Sequence, residues 1–404
     1  MIGVEFNEII KCVACDGPNL KLVIDLGNQP LANDFLTENS EFEVYPLKLN
    51  RCIDCYHSQL SIAVNPSRLF REYSYVSGTS DTLNDYFNFL ADKILVEFGQ
   101  IGKILDIGSN DGSFLSKFKD TKWAGLGVDP AINLISKSTD IGIITIPTFF
   151  DQKVSKLIAS DFDVVVAMNI FAHTENPLEI LKSIKECLKE NGKAYIQTSQ
   201  ADMFFSGQFD TVYHEHISFF NVKSMKALLN RAGLYLSAVN IVPIHGGSYL
   251  WEIVKNPVDS YILEREVYEL KQGLYDDDLY CKFTEIVLNK VSEVKHIIKE
   301  HKEKGFLIVL FGAAAKGNTF INFAGIKLDY IFDDTPQKID KFSPAGGCKV
   351  SNPRIFSEID EPALVIISAW NFVDEILSRI KTLRHNRHDN YLTYYPETHL
   401  KNLS

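Results

Sequence analysis

The chain has 404 residues, enough at about 150 per domain for two or three domains, each with its own core. Hydrophobic residues make up 46% and charged residues 23%, and 41 Lys and Arg against 52 Asp and Glu leave a formal net charge of −11. That charge argues against sequence-blind nucleic-acid binding, which needs a basic footprint to displace counterions.

The longest apolar stretch, Phe306 to Ala315, is far shorter than the ~20 residues a helix needs to cross a bilayer. Met1 to Lys11 carries two glutamates and no apolar signal core. A cytoplasmic protein is expected, with no membrane and no nucleic-acid partner.

The first residues contain two Cys-x-x-Cys pairs, Cys12/Cys15 and Cys52/Cys55, separated by 36 residues. Two intervening residues let both thiolates of a turn reach one ion, and two such turns complete a tetrahedral zinc site with no open position for catalysis. A redox or chance pairing is the alternative, and the double occurrence favours structural zinc. Turn signals at Asp16-Gly17-Pro18 and Gly27-Asn28-Gln29-Pro30 suit a small metal-stapled domain, expected over 1–68. Cys187, Cys281 and Cys348 stand alone and are expected as small core residues.

Apolar residues at Leu83, Phe87, Leu90, Ile94 and Phe98 predict a helix. Strands then alternate with helices: strands at Lys103–Ile107, Ala124–Val128, Asp163–Met168 and Lys193–Thr198, helices at Gly112–Phe118 and Pro177–Leu188. This alternation predicts an α/β fold with a parallel sheet covered on both faces, expected over 69–240.

A glycine-containing turn, Asp106-Ile-Gly108-Ser109-Asn110-Asp111-Gly112, follows the first of these strands, and Asp129-Pro130 ends the next. An acid about 20 positions beyond such a turn suits the two hydroxyls of a ribose, while Asp106 at the strand end can face an amino-bearing ligand. The Gly-x-Gly-x-x-Gly dinucleotide fingerprint is not met. Asp-x-Gly-x-x-x-Gly resembles motif I of class I S-adenosylmethionine-dependent methyltransferases, which implies Asp129 on the ribose and the Gly108–Asn110 backbone against the methionine part. An NAD site or an empty doubly wound fold remains the alternative. Asn169, ending the third strand, is a cofactor candidate, and His173 lies either in the crevice or in the core.

The densest chemistry is Tyr213-His214-Glu215-His216, where a phenol, two imidazoles and a carboxylate can supply a base, an orienter and an oxyanion donor. In an extended segment both imidazoles would share one side, whereas a turn would mix them. The spacing lacks the His-Glu-x-x-His of metalloproteases, and His216 as a core or cofactor-shell residue stays open.

Phe283, Ile286, Val287, Val291, Val294 and Ile298 mark one face of a long helix, with Asp276–Asp278 at its start. Strands at Phe306–Phe311, Asp329–Phe332 and Ala363–Ser368 predict a second α/β unit in 241–404. Its turn, Gly312-Ala-Ala-Ala-Lys316-Gly317-Asn318, can offer amides and a cation to a diphosphate, or carry only a surface lysine.

Taken from end to end, the chain resembles the three-domain, zinc-containing C-methyltransferases of nucleotide-linked keto-deoxysugars. The matching pieces are the Cys pairs, Pro30-Leu-Ala-Asn33, Glu72-Tyr73-Ser-Tyr75-Val-Ser77-Gly78, Leu105–Gly112, Asn169–His173, Phe209–His216, His245-Gly-Gly-Ser248, Gly312–Thr319 and Ala369-Trp370-Asn371. The resemblance implies a zinc domain, a class I methyltransferase domain and a second Rossmann-like domain. It also implies His216 as the proton-abstracting base, with Tyr213, Glu215, His173, Tyr73 and Tyr75 around the sugar. His214, His245, Lys316 and Asn318 are expected on the substrate side, and a monomer or weak homo-oligomer is expected. Methylation of another metabolite on oxygen or nitrogen, and a non-enzymatic zinc adaptor, are the competing readings.

Overall fold

In the computed structural model the described residues are 6–70, 76–79, 81–158, 160–199, 202–244, 246–258, 263–385 and 387–403. They form two compact units that do not follow chain order. The first comprises Met1–Lys21, Asn50–Ala201 and Glu215–Tyr275, and the second Leu22–Leu49, Asp202–His214 and Asp276–Ser404.

The first unit is built on a seven-stranded sheet. Its strands are β1 (Ile101–Ile107), β2 (Lys122–Val128), β3 (Thr145–Ile146), β4 (Phe162–Met168), β5 (Leu188–Ser199), β6 (Tyr235–Val242) and β7 (Ser248–Val254). They lie in the order β3-β2-β1-β4-β5-β7-β6. β1 to β5 are parallel, and β7 runs antiparallel to both β5 and β6.

Alternation along the strands feeds two helical layers. Leu105, Val165, Ala167 and Ile196 face Leu181, Ile184 and Leu228, from helices α2 (Pro177–Cys187) and α3 (Val222–Ala232). Ile104, Val164, Val166 and Tyr195 face Leu83, Phe87, Leu90 and Ile94 of α1 (Asp81–Phe98). Both faces are therefore dry, as a parallel sheet requires. Cys12, Ala14, Cys52 and Cys55 belong to the first of these clusters, so the cysteine turns share a core with the sheet.

In the second unit α4 (Asp277–Glu303) buries Tyr280, Phe283, Val287, Val294 and Ile298 at helical spacing. It precedes a sheet of β8 (Leu307–Phe311), β9 (Tyr330–Phe332), β10 (Val350–Ser351), β11 (Ala363–Ile367), β12 (Asn390–Thr393) and β13 (His399–Asn402). The order is β10-β9-β8-β11-β12-β13, parallel except for β13. Strand order therefore reverses between β8 and β11, the place where open α/β sheets bind ligands.

Two expectations change. The helix expected at Gly112–Phe118 is one 3-10 turn, Leu115–Phe118; Gly112 sits at φ +79° and the Asp111 carboxylate accepts from the Ser113 amide, which keeps its start irregular. Cys187 is buried as expected, but Cys281 is exposed and Cys348 half-buried. Cys281 follows the buried Tyr280 and falls off the apolar stripe of α4. Of the two conformations left open for Tyr213–His216, the structure has the turn, at His214–Glu215.

Candidate active site

The four cysteine sulfurs lie within 4.8 Å of one another. Cys12 Sγ is 3.5 Å from Cys55 Sγ, and Cys15 Sγ is 3.6 Å from Cys52 Sγ. These are far beyond a disulfide bond of ~2.05 Å. They match the ~3.8 Å edge of a tetrahedron with Zn–S bonds of ~2.3 Å. Each knuckle is closed by its own backbone: Asp16 N–H donates to the Cys12 carbonyl at 2.8 Å and Tyr56 N–H to the Cys52 carbonyl at 3.0 Å. Hydrogen bonding from Cys55 draws the Cys12 thiol down to about 6 against the opposing effect of burial, so a thiolate is readily formed in the set. The donors fit structural zinc, with all four positions taken by sulfur. The Arg231 guanidinium of α3 donates to the carbonyls of Val13 and Ala14 at 3.2 and 2.8 Å, tying the first knuckle to the methyltransferase layer.

Strand order reverses between β1 and β4, and the loops leaving these two strands form the crevice. They approach closely: a Cβ on Gly108 would lie 2.3 Å from Ile170 Cγ2, and Gly108 sits at φ +76°. Only glycine suits both conditions. The next left-handed residue is Asn110, at φ +50°, whose amide donates to Asp129 Oδ2 at 2.8 Å. Asp129 Oδ1 accepts from the Ala131 amide, also at 2.8 Å. Asp129 is thus fixed at the end of β2, with a second lone pair on each oxygen for a ligand hydroxyl. Burial raises its pKa, and the two amides oppose that rise.

Asp106, at 1% exposure, has an Oδ1 with no hydrogen-bond partner among the described residues. Burial, then the charges of Asp129 and Asp111, push its pKa up to about 8. A buried carboxyl kept neutral by its neighbours, with an oxygen unpaired, is complementary to an ammonium-bearing ligand that would restore its charge. Ser109 Oγ is likewise unpaired, and Pro130 follows Asp129 in the turn that leads to the Ala131 amide. These residues fit S-adenosylmethionine: an acid pair for amine and ribose, and a glycine turn admitting close backbone approach.

The motif at Ser77-Gly78 docks onto the same turn. Ser77 N–H donates to Asn110 Oδ1 and Gly78 N–H to Asp111 Oδ2, both at 3.0 Å. Tyr73, Tyr75 and His245 lie outside the described residues. On the β4 side Asn169 sits at φ +55° and is clamped by Gln197. Its amide donates to the Gln197 carbonyl and its Oδ1 accepts from Gln197 Nε2, each at 3.1 Å. Gln197 is fully buried with its Oε1 unpaired among the described residues, a further polar atom at this crevice that sequence reading overlooked.

Beyond Asn169, the 3-10 turn Phe171–His173 presents His173, and the structure brings it against His216. The rings stack at 5.2 Å and 29°, while Phe70 stacks on the same imidazole at 5.5 Å and 5°. Burial pushes the His173 pKa down to about 4, so it stays neutral at physiological pH. His216 is 6% exposed and Glu215 4% exposed.

Glu215 and His216 belong to the first unit and Tyr213 and His214 to the second, so the division between units runs through the tetrad. In the second unit His214 is buried, with Nε2 3.3 Å from the Tyr45 carbonyl oxygen and its ring edge-on to Tyr45. Burial holds its pKa down at about 4. Tyr213 is half-buried.

At the switch point of the second sheet, Lys316 opens helix α5 (Ala315–Ala324), and its ammonium lies 4.4 Å above the Trp370 ring. Burial lowers the Lys316 pKa, opposed by the charge of Asp210. Asp210 is a further site residue that sequence reading missed. It is 1% exposed, accepts from Trp370 Nε1 at 3.3 Å and the Tyr394 hydroxyl at 3.1 Å, and is pushed upward in pKa by burial. The signal available was an acid inside the apolar run Phe209-Asp-Thr-Val. Asn318 is fully buried: it donates to the Ala32 carbonyl at 2.8 Å and accepts from the Ser343 hydroxyl at 3.1 Å, bracing the start of α5.

The four-cysteine cluster, the 3-2-1-4-5-7-6 sheet and the acid-lined glycine turn define an S-adenosylmethionine-dependent methyltransferase with a zinc-binding extension. Family models match along the chain in order: a zinc binding domain over residues 12–70, a methyltransferase domain over 75–239 and a C-methyltransferase C-terminal domain over 243–396. The chain is 25% identical over 396 residues to the C-methyltransferase NovU of Streptomyces niveus, covering 94% of both chains. The chain belongs to the zinc-containing, S-adenosylmethionine-dependent C-methyltransferases.

Among solved structures, the magnesium protoporphyrin IX methyltransferase of Synechocystis matches at 8% identity and a TM-score of 0.34, over 43% of this chain and 80% of that one. The PH0226 protein of Pyrococcus horikoshii matches at 18% and 0.37, over 47% and 98%. No helix among the described residues is long and apolar enough to cross a membrane.

Proposed function

We propose that this enzyme methylates the carbon next to the ketone of a nucleotide-linked keto-deoxysugar, with His216 as the base. The observation that carries the reading is the buried His173–His216 ring pair in the unit whose crevice holds Asp106 and Asp129. A hydrogen beside a ketone is acidic because the charge left behind spreads onto oxygen. His216 accepts that proton on its imidazole as the general base. His173 stays neutral and stacked, fixing the plane of the His216 ring without competing for the proton. Tyr213 donates to the developing oxyanion, and Glu215 orients or offsets the imidazolium.

S-adenosylmethionine, when bound, supplies an electrophilic methyl group. Asp106, the Gly108–Asn110 backbone, Asp129 and Asn169 hold it. Lys316, at the switch point of the second sheet, neutralises the diphosphate, and Asp210 with Trp370 keeps that lysine in place. Most of the catalysis is orientation, because the reacting atoms must be held about 3–3.5 Å apart.

The test is product analysis with carbon-13-labelled methyl donor and a panel of nucleotide-linked ketosugars. Label in a methyl group bonded to carbon supports the reading. Label on oxygen or nitrogen refutes it in favour of another methylation.

A further inference from the structure

We propose that His57, two residues beyond the second zinc knuckle, is a positioning residue that sets the segment carrying His216; the inference rests on His216 being the base. Directly after Cys55 the chain forms a template for the stretch that follows His216. The carbonyl of Tyr56 accepts from Asn221 Nδ2 at 2.7 Å. The strand Ser58–Leu60 pairs antiparallel with Ser218–Phe219, and Leu60 N–H donates to the Ile217 carbonyl at 2.9 Å. Between these ties to the backbone lies a tie from side chain to side chain: His57 Nε2 is 3.2 Å from Ser218 Oγ, with His57 at 0% and Ser218 at 1% exposure.

The Nδ1 of His57 has no partner among the described residues. The contact with Ser218 Oγ is therefore the one hydrogen bond the His57 ring makes among the described residues. That hydrogen bond anchors residue 218 two positions from the base.

The same side chain closes a circuit of rings. His57 packs on Phe220 at 4.6 Å, and Phe220 on Phe171 at 5.2 Å. Phe171 shares its 3-10 turn with His173, which stacks on His216. His57 therefore reaches the base by two routes, through the backbone of Ile217–Ser218 and through the ring that supports the imidazole. A base misplaced by about 1 Å can lose ~10²-fold in rate, so a residue holding both routes controls turnover without touching substrate.

The experiment compares His57→Phe, His57→Gln and Ser218→Ala in zinc-loaded full-length protein. His57→Phe keeps the ring packing and removes the hydrogen-bonding nitrogen; His57→Gln restores a side chain that can donate or accept. Zinc content and S-adenosylmethionine affinity serve as controls, and two readouts are followed: the His216 imidazole resonances in histidine-labelled protein, and kcat on the keto-sugar nucleotide.

We expect His57→Phe to shift the His216 resonances and lower kcat roughly tenfold, the weight of one hydrogen bond. The KM for the methyl donor should not change, and His57→Gln should recover part of the loss. Ser218→Ala should reproduce the effect, and the double variant should add nothing to it. Unmoved His216 resonances in both His57→Phe and Ser218→Ala overturn the proposal whatever carbon is methylated. Shifted resonances with undiminished kcat refute instead His216 as the base, and the positioning role falls with it. Should His57→Phe fail to fold, Ser218→Ala alone decides by the same two readouts.

Discussion

Replacing Asp106 by Asn should stabilise the ligand-free enzyme while weakening its hold on S-adenosylmethionine, with both effects set by pH. Asp106 is 1% exposed, one oxygen is unpaired, and its pKa is pushed up to about 8 by burial and by Asp129 and Asp111. A carboxyl whose pKa is raised on folding keeps its proton in the native state and releases it on unfolding. Its contribution is therefore fully present below the unfolded value of ~3.9 and is lost as pH rises to about 8. Asn is neutral throughout and removes that loss. Asp106→Asn should gain up to about 4 kcal/mol over the wild type at pH 7, falling toward zero near pH 4.

Cofactor binding runs the other way. A charge-assisted hydrogen bond to the ligand amine is worth ~1.5–3 kcal/mol, but at pH 7 about 1.4 kcal/mol of it goes into ionising Asp106. The wild type should outbind Asp106→Asn by no more than about tenfold at pH 7, rising to roughly 10–150-fold at pH 9. Taking the ratio at each pH cancels the titration of the ligand's own amine. Because a bond of that size lowers the Asp106 pKa in the complex by only about 1–2 units, calorimetry in two buffers of different ionisation enthalpy should find roughly 0.3–0.8 proton released per cofactor by the wild type near pH 6.5, and none attributable to Asp106 in the variant. A pH-independent affinity ratio, or a ligand-free variant less stable than wild type at pH 7, would refute a neutral Asp106.

Two further outcomes follow from the same unit. Elemental analysis should find about one zinc per chain, and chelation or Cys55→Ala should lower the thermal transition of the whole methyltransferase unit, because Cys12, Cys52 and Cys55 share its core. An unchanged transition after metal removal would contradict this. Gly108→Ala should cost ~1–2 kcal/mol for the left-handed backbone and about 1–3 more for the clash with Ile170; thermal unfolding and cofactor titration should show both stability and binding reduced, and wild-type affinity would be inconsistent with the close approach of the two loops.

The sequence made the parallel sheet legible because strands such as Asp163–Met168 are continuous apolar runs between turn signals, and the helices carry clear 3–4 spacing. The placement of Asp106 and Asp129 at strand ends and of Gly108 in the turn between them was readable from sequence position alone. What escaped depends on tertiary proximity. Asp210 sits among apolar neighbours in sequence, and only folding brings Trp370 and Tyr394 to its oxygens. The choice between an extended segment and a turn at Tyr213–His216 stayed open because four polar residues carry no periodicity, and the environments of His214 and His216 are set by distant residues, Tyr45 and His173. His57 reads as an ordinary residue after a zinc knuckle until Ser218 is placed against it.

Solvent hydrogen exchange measures the central step directly. Wild-type enzyme, incubated in heavy water with the keto-sugar nucleotide and S-adenosylhomocysteine in place of the methyl donor, should incorporate deuterium at the carbon beside the ketone. His216→Asn should bind the cofactor normally but lose exchange ~10²–10⁴-fold, the usual size of a general-base loss, and lose methyl transfer in parallel. Exchange at the wild-type rate in His216→Asn would show that the proton leaves to another group, and would contradict the account.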